Sequence, residues 1–305
     1  MKPLDLFLSS AAANLETVLC IVAETHGSCP GRAGFKMVVP AEGSCRGSVG
    51  GGSMEFRVIT IAREMLAGGE KKPCLVSFDH KGNAEPEQRS GMICSGSQKI
   101  VLIPPSSSKR EPEGKQVLLV NNDELRLLDL PPLNTGLRIS GDSWEYTEEL
   151  VPPLTVYIFG GGHCGLALTP VLNSLDLRVV IIDNREHVWT MAENTTAWKK
   201  IVRGYDEASS LVPDNADALV VIMTASHAGD SSVLRQMLPK NLKYLGMMGS
   251  RATAEHILKE MHSLGFSEKS ISTVHTPIGI PISSQTPAEI AVSIAAEIVM
   301  VLNKG

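Results

Sequence analysis

The segment 155–165 carries the clearest chemical motif of the sequence. It reads TVYIFGGGHCG, an apolar run that ends in a G-x-G-x-x-G pattern at Gly160, Gly162 and Gly165. A second apolar run, RVVIID, ends at Asp183. Glycines at this spacing let a pyrophosphate approach backbone N–H groups at a helix start, and the acidic residue can accept from a ribose hydroxyl. The pattern predicts a dinucleotide-binding edge; the alternative is that the glycines serve only helix–strand packing.

Further polar side chains follow the ends of other apolar runs. His163 follows the glycine turn, His227 lies in TASHAGD, and Arg251 follows YLGMMGS. Because the carboxyl ends of parallel strands point to one edge of a sheet, we expect these side chains to share a crevice with Asp183 and Arg185. Imidazoles and guanidinium groups near helix N-termini favour an anionic ligand. For Ser250 and Asp230, also at these ends, helix capping is the simpler interpretation.

Three loops rich in small residues lie in the first hundred residues. One contains Gly50, Gly51, Gly52 and Ser53, which lead into an amphipathic segment, so their backbone N–H groups could bind an anion and Ser53 could be the N-cap. The other two are GSCPGR and SGMICSG, which carry a cysteine each, Cys29 and Cys94. Both a ligand site and ordinary turns remain open here.

The elements that must position these residues differ between the two halves of the chain. From residue 154 onward, β-rich and helical segments alternate, which predicts an α/β fold with a Rossmann-like, doubly wound parallel sheet. The N-terminal part predicts a mixed α/β domain. We place a mixed α/β domain at 1–104, a linker with short strands at 105–153, and the Rossmann-like domain at 154–305.

Composition excludes several classes of protein. The chain has 305 residues, a formal charge of −5, and only three Trp, four Tyr and six Phe, a poor profile for binding nucleic acid. No apolar run reaches the length of a membrane-spanning helix. The six cysteines form no C-x-x-C pair, so we expect reduced thiols in a cytoplasmic protein.

These segments together resemble the XdhC/CoxI family, accessory proteins of xanthine dehydrogenase and related molybdenum hydroxylases. In the N-terminal half the resemblance rests on GSCPGRAGFKMVV, GSVGGGSMEF and GMICSG. In the C-terminal half it rests on YIFGGGHCG, VVIIDNRE, TASHAGD, YLGMMGSR and HTPIGIPISSQTPAEIAVSIAAEI. The order of these segments along nearly the whole chain carries the resemblance.

The resemblance implies a two-domain, homodimeric carrier rather than an enzyme. Such a protein would bind molybdenum cofactor (molybdopterin) and deliver it to a molybdenum hydroxylase apoenzyme. Delivery is linked with sulfuration of the metal, for which a cysteine desulfurase would be a further partner. The alternative from the residues is an NAD(P)-dependent oxidoreductase that uses the G-x-G-x-x-G site, for which His227 alone would have to supply acid–base chemistry.

The sequence departs from the family pattern at three places. Ser53 stands where the family has a cysteine after three glycines, Cys29 stands in a segment that commonly reads G-S-T-P-R, and Cys94-Ser95-Gly96 replaces C-G-G. A thiol that contacts molybdenum would therefore be Cys94 first and Cys29 second, because molybdenum favours soft thiolate donors. The simpler alternative is that both are small apolar residues.

Overall fold

The computed structural model of the chain describes residues 3–13, 15–79, 96–105, 116–128, 135–150 and 153–304. Two compact units, 1–152 and 153–305, account for the chain. Cys94 lies outside the described residues, so its predicted role stays a prediction. Within the described part, no helix is both long and apolar enough to span a membrane.

The first unit is built on a five-stranded antiparallel sheet in the order β3-β2-β1-β5-β4. Its elements are α1 (Pro3–Ala12), β1 (Thr17–His26), β2 (Lys36–Pro40), β3 (Arg46–Gly47), α2 (Gly52–Ala67), β4 (Cys74–Asp79) and β5 (Ser97–Ile103). Helix α2 buries Met54, Val58 and Ala62 against one face of this sheet. The predicted mixed α/β fold is confirmed for this part of the chain.

A second sheet of four antiparallel strands covers the other face, together with α1. Its strands are β6 (Gln116–Asn121), β7 (Leu125–Leu128), β8 (Gly136–Ser140) and β9 (Ser143–Leu150). Tyr146 and Leu118 of this sheet are buried in one cluster with Phe7 and Ile21. The strands expected within a linker at 105–153 therefore belong to the first unit, because their apolar face completes its core.

The second unit is a parallel sheet in the order β12-β11-β10-β13-β14, as the alternation of β-rich and helical segments predicts. The strands are β10 (Thr155–Phe159), β11 (Arg178–Asp183), β12 (Lys199–Val202), β13 (Ala218–Ile222) and β14 (Tyr244–Met247). The helices are α3 (His163–Ser174), α4 (Trp189–Glu193), α5 (Ala208–Leu211), α6 (His227–Met237), α7 (Arg251–Ser263), α8 (Glu268–Ile271) and α9 (Pro287–Leu302). The strand order reverses between β10 and β13, and ligands of open α/β sheets bind at that point.

Helices cover both faces of this sheet. Residues that alternate along β10 and β13 divide between two cores: Ile158 and Val221 pack with α3 and α9, whereas Val220 and Ile222 pack with α6 and α7. Helix α9 starts with a capping box, in which Thr286 accepts from the Glu289 N–H and Glu289 reaches back to the Thr286 N–H. The Rossmann-like architecture is thus confirmed.

Candidate functional site: the carboxyl edge of the parallel sheet

The loop after β10 and the loop after β13 touch at the point where the strand order reverses. Gly160 adopts φ +123°, and a Cβ there would overlap the carbonyl oxygen of Met223. A Cβ at Gly165 would lie 2.5 Å from the carbonyl oxygen of Gly160. Only glycine tolerates these close approaches, and at Gly160 also the backbone conformation, so these two glycines shape the turn.

Gly162 has a different environment, which leaves room for a ligand. It is the N-cap of α3; among the described residues no side chain caps the helix, and none lies within 4 Å of a Cβ built at this position. By contrast Ser226, Ser250 and Thr286 cap α6, α7 and α9 with their hydroxyl groups. The first N–H groups of α3 are therefore open at the positive end of the helix dipole, where a phosphate binds favourably.

Asp183, at the end of β11, is already engaged within the protein. Its Oδ1 accepts from the Arg185 N–H (3.0 Å) and Nε (2.8 Å), and its Oδ2 accepts from the Gly161 N–H (2.7 Å) and Arg185 Nη2 (2.8 Å). Burial of the carboxylate would raise its pKa, but the hydrogen bonds from Arg185 and Gly161 outweigh burial and lower the pKa. A ribose hydroxyl would have to compete with these four donors for the predicted acceptor.

Aromatic side chains flank the glycine turn. His163 meets Trp189 edge to face, with ring centroids 5.2 Å apart, and the Trp189 residue is 56% exposed. The buried Thr190 hydroxyl donates to the Gly161 carbonyl oxygen and so fixes α4 against the turn. His163 is itself exposed, so an exposed, partly apolar surface lies beside the start of α3.

The loop after β13 is held by Asp230, which lies inside α6; Ser226 is the N-cap, so the expectation that Asp230 caps the helix is wrong. The carboxylate accepts from the Thr224 N–H (2.9 Å) and hydroxyl (2.8 Å), while burial raises its pKa. His227 begins α6 and lines a cavity of about 390 Å³ between α6 and α7, with Ser231, Arg235, His256 and Glu260.

Arg251 is exposed at the start of α7, directly after its cap Ser250. The structure thus brings the glycine turn, Asp183 and the loop after β13 together. It places His227 in a separate concavity, formed with His256 of α7.

Sequence reasoning missed two features of this unit. Tyr205 is buried, and within the described residues its Oη has no hydrogen-bond partner. Tyr205 lies just after β12, and this position could have marked it as a candidate, because the carboxyl ends of parallel strands form the ligand edge. The second feature is a cluster in which Glu297 accepts from Tyr244 Oη (2.5 Å) and the Gly279 N–H (2.9 Å) and pairs with His275 Nδ1 (3.3 Å). An acidic residue on the buried face of α9 was its only signal.

In the first unit, the glycine-rich loop before α2 already binds a carboxylate of its own chain. Glu55 Oε2 accepts from the N–H groups of Val49 (2.9 Å) and Gly51 (3.0 Å) and from the Ser48 hydroxyl (2.5 Å). Burial opposes ionisation of Glu55, but these hydrogen bonds prevail and lower its pKa. An external anion would have to displace this side chain. The N-cap of α2 is Gly51, so the expectation that Ser53 caps the helix is wrong.

The described parts of the three small-residue loops do converge. A Cβ at Gly50 would lie 2.7 Å from the Gly31 nitrogen, and one at Gly96 would lie 2.5 Å from Cys29 Sγ. Cys29 Sγ contacts the carbonyl oxygens of His26 (3.2 Å) and Ser97 (3.1 Å), which suits a thiol proton better than a bound metal. Among the described residues, no group of three or more His, Cys, Asp or Glu side chains is arranged to hold a metal ion.

Comparison with known proteins agrees with this architecture. The XdhC and CoxI family matches residues 10–79, and the XdhC Rossmann domain matches residues 156–298. A crystal structure described as a xanthine dehydrogenase from Bacillus halodurans superposes with a TM-score of 0.76 at 21% identity, covering 99% of this chain and 96% of that one. At that identity the likeness shows the fold alone.

Two curated relatives align along nearly the whole chain. The uncharacterized protein YqeB of Escherichia coli K12 is 25% identical over 96% of this chain, which spans 46% of YqeB, about half its length. A probable xanthine dehydrogenase subunit of Bacillus subtilis 168 is 21% identical, with 93% of this chain and 92% of the relative covered. Since the two family models match the two units in the order that the sequence motifs indicate, the chain belongs to the XdhC/CoxI family.

Proposed function

We propose that this protein is an accessory factor that binds molybdenum cofactor and delivers it to a molybdenum hydroxylase of the xanthine dehydrogenase type. The observation that carries the proposal is membership of the XdhC/CoxI family in both units, at residues 10–79 and 156–298. The Bacillus subtilis relative, which is named as a probable component of xanthine dehydrogenase, points to the same class of enzyme. A carrier of this kind has no turnover of its own.

The carboxyl edge of the parallel sheet fits the anionic end of such a cofactor. The start of α3 offers uncapped N–H groups and open space at Gly162. Arg185 and Tyr205 add a guanidinium and a hydroxyl donor at the neighbouring strand ends. The cofactor would supply the metal chemistry in the hydroxylase, and this chain would bind and orient its phosphate.

An NAD(P)-dependent oxidoreductase is less well supported by the same geometry. Asp183 is saturated by four donors, and Asp230 is bound to Thr224. In the part of the chain that the structure describes, Glu297 pairs with His275, but it also binds Tyr244 and Gly279 and so ties residues 275–279 to α9. These contacts indicate structural roles rather than acid–base catalysis.

The proposal is tested by native mass spectrometry of the protein made in a molybdenum-replete host and in a host unable to make molybdopterin. We expect the mass of molybdenum cofactor on the first sample only, and the same spectra test the expected homodimer. Transfer is then measured as activity regained by a hydroxylase apoenzyme. Bound NAD(P), or empty protein from the replete host, would contradict the proposal.

A thiol contact to molybdenum remains part of the proposal. We compare cofactor retention in Cys94→Ser and Cys29→Ser with that in the wild type, after each variant is shown to melt normally. Loss of cofactor from Cys94→Ser would support the thiol ligand, and full retention in both variants would remove it. Addition of a cysteine desulfurase to the transfer assay tests the link with sulfuration.

A further inference from the structure

Arg185 presents a guanidinium in a fixed orientation at the end of β11. Its Nε and Nη2 each lie 2.8 Å from an oxygen of Asp183, whose side chain is fully buried, whereas the Arg185 side chain is 46% exposed. Asp183 therefore anchors the pair, and the Arg185 guanidinium faces solvent. Because the arginine is already ordered, it loses little conformational entropy when a ligand binds.

The donors left on Arg185 match an acceptor with two oxygens. A guanidinium has five N–H groups, and the contact with Asp183 uses one at Nε and one at Nη2. Two N–H groups on Nη1 and one on Nη2 remain, at the end of the fork away from the carboxylate. Among the described residues these three N–H groups have no hydrogen-bond acceptor. A phosphate accepts two parallel hydrogen bonds from such a fork.

Tyr205 supplies a second, independent sign of a ligand at this edge. The residue is 7% exposed, its ring meets Phe159 at the end of β10, and its Cδ2 lies beside Gly229 of α6. Among the described residues its Oη has no acceptor for its proton, while the backbone N–H of Asn184 approaches it as a donor. A buried hydroxyl without an acceptor destabilises the protein, and an anionic ligand that accepts a hydrogen bond from it would offset that cost.

The same contacts disfavour a ribose with free hydroxyl groups. Such a sugar donates hydrogen bonds and needs a carboxylate acceptor, but both oxygens of Asp183 are occupied. We propose that Arg185, positioned by Asp183, and the Tyr205 hydroxyl recognise a phosphate monoester on the ligand bound at this edge. The inference rests on the proposed function insofar as a cofactor binds there. The monoester would be the terminal phosphate of molybdopterin or the 2′-phosphate of a nucleotide, and the two arms of the test distinguish them.

The first arm compares adenosine 2′,5′-bisphosphate with adenosine 5′-monophosphate by calorimetry on the full chain. These probes differ only in the 2′-phosphate. If the monoester is a nucleotide 2′-phosphate, the wild type binds the bisphosphate at least tenfold more tightly. Arg185→Ala then reduces that affinity to the level of the monophosphate, and Tyr205→Phe weakens it by about threefold.

The matched control for this arm is Arg178→Ala. It removes the same charge from the opposite end of β11, where the guanidinium lies 4.3 Å from the Trp198 ring centroid. We expect it to leave both affinities unchanged. Arg185→Lys replaces Arg185→Ala in the test if the alanine variant folds poorly. Lysine keeps a positive charge beside Asp183 but lacks the fork, so the preference for the bisphosphate over the monophosphate falls at least fivefold.

The second arm measures the pterin retained by the wild type, Arg185→Ala and Arg178→Ala after production in a molybdenum-replete host. Loss of pterin from Arg185→Ala alone identifies the phosphate of molybdopterin. If Arg185→Ala instead loses only the preference for the bisphosphate over the monophosphate, the monoester is a nucleotide 2′-phosphate. If Arg185→Ala behaves as Arg178→Ala in both arms, the inference is overturned, even where pterin is bound and the proposed function stands. Conversely, an Arg185-dependent preference in a protein that carries no pterin supports the inference and contradicts the proposed function.

Discussion

Asp183→Asn is the most informative single change in the second unit, because the two residues have the same shape and differ in charge and hydrogen bonding. The carboxylate accepts two hydrogen bonds at each oxygen, from Gly161 and Arg185. An amide replaces one of these oxygens by an NH₂ group, which faces two donors whichever way it is turned. Two hydrogen bonds are lost, and the cost is about 2–4 kcal/mol in the free energy of unfolding.

The pH dependence of this effect has a definite sign. The pKa of Asp183 is lower in the folded protein than its usual value, because hydrogen bonds from Arg185 and Gly161 outweigh burial. Its stabilising contribution is therefore complete above about pH 4, the ordinary range of an unfolded aspartate, and is lost as the pH falls through the folded-state pKa. The difference in stability between wild type and Asp183→Asn should be largest near neutral pH and shrink in acid.

Urea unfolding of the full chain, followed by tryptophan fluorescence, measures this difference. Trp189 and Trp198 both lie in the second unit and report on it. Asp217→Asn is the matched control, because Asp217 is exposed and the change should cost less than about 0.5 kcal/mol. The reasoning is refuted if the two variants have equal stability at pH 7, or if Asp183→Asn is destabilised as much at pH 3 as at pH 7.

Two further predictions concern the glycine-rich loops. Gly162→Val should keep the melting temperature of the wild type, because its side chain enters open space at the start of α3, but it should lose bound cofactor in native mass spectra. Gly136→Val, also in open space, should keep the cofactor. Equal retention of cofactor in both variants would argue against a ligand at Gly162. Glu55→Ala should expose the N–H groups of Val49 and Gly51. Added phosphate should therefore shift the amide resonances of these two residues in the variant and not in the wild type. Shifts in both proteins would show that Glu55 does not block the loop.

Much of the fold could be predicted from local patterns. The alternation of apolar runs and glycine turns after residue 154 predicts the parallel sheet, and Thr286, Pro287 and Glu289 predict the start of α9. These signals are local, because strand and helix periodicity and capping depend on residues a few positions apart. The strands at 116–150 could be recognised in part, but not their place in the core of the first unit, which depends on contacts with Phe7 and Ile21.

The sequence by itself therefore determined the kinds of element, the family and the edge of the sheet where polar residues gather. The tertiary structure alone decided which of those residues are free to meet a ligand. Asp183 binds Gly161 and Arg185, and Glu55 fills the loop that was expected to hold an anion. Tyr205 brings a buried hydroxyl to a crevice built from other strands. The physical reason is that a hydrogen bond forms between groups that the fold brings within about 3 Å, and sequence patterns specify residue types and faces but not those distances.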